Sequence, residues 1–166
     1  MNTKIIFLLN KQIGIFTSIE NSLFYRNDVL TKEQRSYNMS QISGKNTNPE
    51  VRLRKLLSSK GIKGYRIHSK LEGKPDMVFT KQKIAVFIDG CFWHRCPKCY
   101  VEPKTNKKFW SNKIEGNVKR DKRINNNLKK EGWYVIRFWE HDIKNDKINN
   151  CYEKLFNKLN EVGCLI

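Results

Sequence analysis

Three thiols stand close together in this chain, at Cys91, Cys96 and Cys99, in the run Asp-Gly-Cys-Phe-Trp-His-Arg-Cys-Pro-Lys-Cys that begins at Asp89. Cysteines at such spacing are metal ligands, and the pattern fits a tetrahedral zinc site. A fourth donor must come from elsewhere. His141, which follows Trp139-Glu140 at the end of a predicted strand, is the first choice and Cys151 the alternative. Three cysteines and a histidine leave no open coordination position, so the expected role of the metal is structural. Between the first two thiols sit Phe92, Trp93 and His94. A core histidine would be odd in so charged a loop, and His94 is read as a general acid/base.

Carboxylates offer a second kind of chemistry. Gly73-Lys74-Pro75-Asp76 places an aspartate where a turn becomes an apolar strand, and Asp89 ends the next strand. A turn carboxylate that caps backbone N–H groups is the commoner fate of Pro-Asp. The alternative is a magnesium site, because a hard cation held by one or two carboxylates is what phosphodiester hydrolysis requires. Asp121 is the third acid of interest. Stepping 100° per residue, Trp110, Ile114, Val118, Ile124 and Leu128 share one helix face, with Asp121 near the middle of the stripe. A carboxylate facing a core needs a partner. It either pairs with Arg120, Arg123 or a sheet residue, or reaches toward an active site.

The elements that must position these groups follow from local signals. Thr31-Lys-Glu-Gln34 is a capping box opening a helix to about Ile42. Asn48 as N-cap and Pro49 at the first helical position start a second helix, with Val51, Leu53, Leu56 and Leu57 inward and Gly61 ending it. Tyr65–His68, Asp76–Phe79 and Ile84–Ile88 read as strands, the last apolar on both faces and therefore central. A long helix is predicted over Lys107 to Glu131 with Gly132 as terminator, then a buried strand Trp133–Trp139 and a final helix carrying Ile148, Tyr152, Leu155, Phe156 and Leu159. The sum is an α/β fold, a mixed central sheet flanked by helices.

The composition points to a polyanionic partner. Against 16 Asp+Glu there are 33 Lys+Arg, a formal net charge of +17 on 166 residues. Such a field steers a protein toward nucleic acid and releases counterions when phosphates are neutralised; a ribosomal or membrane-surface protein would share it. Lys104, Lys107, Lys108, Lys113, Lys119, Lys122, Lys129 and Lys130 are expected to form a solvated face, some of them against phosphates. No stretch is long enough to span a membrane. Asn10 and Lys11 cut short the apolar run Ile5–Leu9, so a cytoplasmic location is expected. Five cysteines, three of them clustered, favour a reduced compartment, with Cys151 and Cys164 as free thiols. Residues 1–28 show no clear period and are set apart as an extension from a domain over 29–166.

Taken together, Gly73–Asp76, Val86–Cys99, Asn117–Asp121 and Gly132–His141, with Thr31–Glu50 upstream, resemble the very short patch repair DNA mismatch endonucleases of the PD-(D/E)xK nuclease superfamily. The likeness covers about Val29 to Leu159. The superfamily's lysine, two residues after an acid on the central strand, is missing here; Gly90 and Cys91 occupy that region, a departure that the repair endonucleases share. The resemblance implies a restriction-endonuclease-like core with a structural zinc. It also implies a magnesium-dependent, strand-specific nick beside the thymine of a T:G mismatch left by deamination of 5-methylcytosine. Asp76 would hold magnesium with the backbone carbonyl of Ile88, and His94 would act as general acid/base. Glu50, Asp89 and Asp121 would orient waters around them, although Glu50 also reads simply as a carboxylate stabilising a helix N-terminus. Phe92 and Trp93 would wedge into the duplex, with Met39 entering from the other groove or serving as plain core filler. The implied partner is double-stranded DNA carrying the mismatch, with repair-pathway proteins beside it, and the implied state is a monomer. A non-catalytic zinc-stabilised DNA-binding module would explain the thiols and charge but has no use for Asp76, Asp89, Asp121 and His94 together.

Overall fold

The computed structural model of the chain describes residues 30–41 and 44–163. The expected extension over residues 1–28, Ile42 and Cys164 lie outside them. Two compact units part between Asn38 and Met39. Helix α1 (Lys32–Ser40), in which that boundary falls, opens on the capping box read from the sequence. The Gln34 N–H donates to Thr31 Oγ1 (3.2 Å) and the Thr31 N–H to Gln34 Oε1 (2.8 Å). None of the α1 residues is buried.

The second unit holds the remaining elements: α2 (Asn48–Ser59), β1 (Met77–Phe79), β2 (Ile84–Asp89), α3 (Lys107–Lys130), β3 (Tyr134–Trp139), α4 (Glu140–Lys144) and α5 (Ile148–Glu161). The strands form one mixed sheet in the order β1-β2-β3, with β1 antiparallel and β3 parallel to β2. The parallel pair needs a crossover, which α3 supplies. The α3 helix ends as Gly132 implied: Gly132 adopts φ +81°, its N–H bonds Lys129 O (3.0 Å) and the Trp133 N–H bonds Leu128 O (2.9 Å), a Schellman motif.

Each face of the sheet carries its own core. On one side Met77, Phe79, Ile84, Val86, Ile136 and Phe138 pack against Leu53 and Leu57 of α2, Ile143 of α4 and Leu155 and Leu159 of α5. On the other, Ala85 and Phe87 meet Ile124 and Leu128 of α3, with Leu71, Trp133 and Val135 at the margin. This two-sided burial is why β2 reads as an uninterrupted apolar run.

Four local expectations are corrected. The N-cap of α2 is Thr47, not Asn48, because Thr47 stands three residues before Glu50 and closes a capping box with it. The predicted strand Tyr65–His68 shrinks to one bridge, Arg66 to Val78, and His68 leaves extended geometry at φ +55°. The strand ending at Trp139 is not buried throughout: as the edge of the sheet it leaves Tyr134 exposed and buries Ile136 and Phe138. Directly after it comes α4, a short helix that the sequence reading passed over. No helix among the described residues is long and apolar enough to cross a membrane.

Leu53 is fully buried between α2 and the sheet. Leu53→Ala is expected to lower the unfolding free energy by about 2–5 kcal/mol in urea titrations. Val101→Ala, at a residue 77% exposed, should change it by less than about 0.5 kcal/mol.

Candidate active site and adjoining metal centre

At the C-terminal end of β2 the sheet opens into a cleft of about 510 Å³. Its walls carry Glu50, Asp76, Asp89, His94 and Asp121, brought together from four separate segments of sequence. Asp76 arrives by way of the Gly73-Lys74-Pro75 turn. Gly73 has φ +79°, and a Cβ there would lie 2.6 Å from Ile124 Cγ2, so only glycine lets the turn pass this close to α3. The Asp76 N–H then donates to Val86 O (2.9 Å), and its Oδ2 accepts the Ile88 N–H (2.7 Å). The carboxylate is thereby fixed against the end of β2.

Burial pushes the Asp76 carboxyl up to about 6, against the Ile88 N–H that favours ionisation; Glu50 and Asp89 add to the rise and Arg54 opposes it. A carboxylate desolvated beside other acids is short of positive charge, which is the condition a hard cation relieves. The oxygen donors here therefore fit a divalent metal. Glu50 serves two ends. Its Oε1 accepts the Thr47 hydroxyl (2.7 Å) and N–H (3.3 Å) and its Oε2 the Asn46 N–H (2.9 Å), while it also lines the cleft. The helix-stabilising reading is thus realised at a position that still faces the site.

His94 sits between two carboxylates. Its Nδ1 lies 2.6 Å from Asp121 Oδ2 and 3.7 Å from Asp89 Oδ1. Burial works against ionisation of Asp121, but the hydrogen bond and charge of His94, joined by Arg137 and Arg120, hold its carboxyl below the usual range. So the acid in the apolar stripe of α3 has its partner, a histidine from the thiol loop. With Nδ1 committed to Asp121, Nε2 is the free ring atom that can take or give a proton.

The thiol loop begins one residue beyond the cleft. Cys91, Cys96, Cys99 and His141 offer ligand atoms that all lie within 4.8 Å of one another, and among the described residues no other cysteine joins them. His141 Nδ1 is 3.2 Å from Cys91 Sγ and 3.6 Å from Cys96 Sγ. The longer matches the nitrogen–sulfur edge, about 3.6 Å, of a tetrahedron with metal–sulfur about 2.3 Å and metal–nitrogen about 2.0–2.1 Å, and the shorter lies inside it. Burial and then the neighbouring sulfurs push the Cys91 thiol up to about 12. At Cys96 burial again opposes ionisation, but the Lys98 and Cys99 N–H groups hold that thiol below its ordinary value. The set could hold a metal, which would take the place of the proton on Cys91. The His141 Nε2 is buried and 3.2 Å from Asp142 Oδ1, at ion-pair range without hydrogen-bond alignment. Carboxylates in that place commonly orient a ligating histidine.

The aromatic residues of the loop pack into a layer. Phe92 meets Trp93 edge to face at 5.1 Å, and Trp110 at the start of α3 packs on both, 5.3 Å from Phe92 and 5.9 Å from Trp93. Tyr100 and the exposed Phe109 extend it. Asn117 ties the layer down, its Nδ2 donating to Trp93 O (2.9 Å). Met39 is 45% exposed. The sequence reading missed three contributors: Trp110 as part of this layer, Asn117 as its tether, and Arg137, which bonds Asp89 Oδ1 (2.6 Å). A signal existed for the last. An arginine in the middle of Tyr134–Trp139 is as anomalous as an aspartate in an apolar helix stripe.

Comparison with known proteins agrees with this geometry. The family model for the DNA mismatch endonuclease Vsr matches residues 27–100. The Type II nicking enzyme V.NmeAIP of Neisseria meningitidis is 41% identical over 137 residues, 81% of this chain and 96% of its own. The Type II nicking enzyme V.NaeI of Lentzea aerocolonigenes is 43% identical over 119 residues, 69% and 72% of the two chains. The DNA mismatch endonuclease Vsr of Escherichia coli K12 is 37% identical over 141 residues, 82% and 88%. Among solved structures, the catalytic domain of the homing endonuclease I-Bth0305I superposes with a TM-score of 0.50 at 19% identity, over 72% of this chain and all of that one. It shares the fold, an endonuclease-like α/β core. With a cleft of acids, a paired histidine and relatives that match along most of its length, this chain belongs to the Vsr family of DNA mismatch endonucleases and is a DNA endonuclease.

Proposed function

We propose that this endonuclease nicks one strand beside the thymine of a T:G mismatch arising from deamination of 5-methylcytosine, and so opens short-patch repair. The observation that carries the reading is the join between the two halves of the site. One loop holds both His94, paired with Asp121 at 2.6 Å, and the half-buried Phe92 and Trp93, so a base step parted by the aromatics lies beside the cleft. Unstacking costs a few kcal/mol per step and is cheapest at a mismatch, which turns a wedge into a selector. The nicking enzymes among the relatives support the cutting of one strand, and the mismatch endonuclease supports the mismatched substrate.

In this scheme Asp76 and the Ile88 carbonyl hold magnesium, and Phe92 and Trp93 enter the duplex while Met39 enters from the other groove. When bound, magnesium supplies Lewis-acid stabilisation of charge on the cleaved phosphate. Glu50 and Asp89 accept hydrogen bonds from waters in the cleft and orient them. His94 exchanges a proton at Nε2, and Asp121 fixes the ring by holding Nδ1. Cys91, Cys96, Cys99 and His141 hold a structural zinc that fixes the loop. The enzyme works as a cytoplasmic monomer on double-stranded DNA, with repair-pathway proteins as further partners.

The deciding experiment nicks an end-labelled duplex with one T:G mismatch beside its T:A twin, with magnesium, across a panel of flanking sequences. A nick next to the mismatched thymine in one context, absent from the twin, is expected. Equal cutting of both would show a nicking enzyme for intact sites instead. Phe92→Ala with Trp93→Ala should erase most of the preference, by about 10-fold or more given the unstacking energy at stake.

The Asp76 carboxyl yields a pH test. Below about pH 6 it carries a proton that excludes a cation, so the nicking rate should fall as pH drops through that value. Because proton and metal compete, raising magnesium should move this limb to lower pH. A limb that ignores magnesium concentration would separate Asp76 from metal binding. For the thiol site, metal analysis should find about one zinc per chain. His141→Ala should weaken retention against a chelator and lower the melting temperature.

A further inference from the structure

Arg137 contributes a guanidinium to the floor of the cleft, where neither metal set needs it. It stands on β3 opposite Phe87 of β2, and its guanidinium lies 4.4 Å from the Phe87 ring centre, at the point where the α3-side core gives way to the cleft. Nη1 donates to Asp89 Oδ1 (2.6 Å) and Nε to Asn125 Oδ1 (2.9 Å), while Nη2 lies 3.4 Å from Asp121 Oδ1. The same two carboxylates face His94. Asp121 divides its oxygens, Oδ1 toward Arg137 and Oδ2 to the His94 Nδ1; Asp89 turns Oδ1 toward both.

We infer that Arg137 is a positioning residue for His94: its fork fixes the planes of Asp121 and Asp89, which in turn fix the imidazole. The inference rests on the role given to His94 above. Two carboxylates held against one imidazole repel each other at short range, and the cation between them cancels that repulsion. A planar fork can serve oxygens from two elements at once, as an ammonium point charge cannot. Asn125 and the Phe87 ring hold the fork in place from the side and from below. Nη2 is buried and has no hydrogen-bond partner, so a small shift of Asp121 tightens the grip without any rearrangement of Arg137.

The test uses the full chain on the duplex it nicks best, under single-turnover conditions below the melting temperature of every variant. Arg137→Ala and Arg137→Lys are each expected to slow nicking by about 100-fold, the scale of a mispositioned catalytic group, with DNA affinity little changed. Free guanidinium should restore Arg137→Ala by about 10-fold while urea, its uncharged counterpart, restores nothing. If Arg137 acts through Asp121, the double variant with Asp121→Asn should be no more than about 3-fold slower than the slower single variant. A wild-type rate in Arg137→Lys, effects that multiply in the double variant, or a loss without rescue that follows melting temperature would each overturn the inference. His94→Ala separates the two levels. If it nicks as fast as wild type, the role of His94 fails and this inference fails with it. If it is slow while Arg137 and Asp121 act independently, only the inference falls.

Discussion

Parallel pairing of β2 with β3 is the constraint on which the site depends. The register sets Asp89 against Trp139, so the chain leaves both strands at the same level. On one side it continues into Gly90 and Cys91, on the other into Glu140 and His141. This alone brings a thiol and an imidazole fifty residues apart within 3.2 Å. Glu140 Oε2 also reaches the Cys91 N–H (3.3 Å) and ties the two exits together. A one-residue slip would turn every side chain of β3 to the other face, sending Arg137 into the core now filled by Ile136 and Phe138 and parting His141 from the thiols.

Around that register, soft and hard donors are kept apart by a short length of chain. Sulfur and imidazole gather beyond the strand ends, and carboxylates gather beneath them. Softer ligands favour ions such as zinc and oxygen donors favour magnesium, so the two donor sets suit different metals. His94 is the member of the loop that crosses between them, and its partner Asp121 comes from α3. Asn117, a turn earlier on the same helix, holds the Trp93 carbonyl. One helix therefore positions both the titratable and the aromatic side chains of the loop.

Much of this was legible in the sequence where a residue type contradicts its surroundings. The thiols stood out by spacing, and Asp121 by lying in an apolar stripe. Glycine and capping signals placed the ends of α1 and α3 closely, because those signals are local. The misplaced residues are those whose fate depends on tertiary context. Asn48 and Thr47 are both good caps, and only the reach of Glu50 decides between them. Tyr65–His68 has strand composition but is offered just one pairing partner, at Val78. Arg137 was passed over because the apolar residues on either side of it suggested a buried strand, and the carboxylates that make its place tolerable lie on β2 and α3. The aromatic layer is half legible: Phe92 and Trp93 stand out, whereas Trp110 reads as part of the apolar stripe of α3 and is in fact half-buried against the loop rings.

The tether from Asn117 to the Trp93 carbonyl has a consequence for how strain divides in the proposed complex, in which Phe92 and Trp93 press on a base step. The loop is held by that hydrogen bond, by the Cys96 N–H on Cys91 O (2.9 Å) and by the packing of Trp110 on both of its aromatic rings. A loop so braced is stiff relative to a duplex, whose base steps part at a cost that varies with sequence and pairing. When the two meet, the softer body deforms. The elastic energy is then stored in the nucleic acid, and its size reports the compliance of each step the protein presses on. Discrimination of that kind needs no hydrogen bond to a base edge, because a stiff probe ranks sites by how easily they yield.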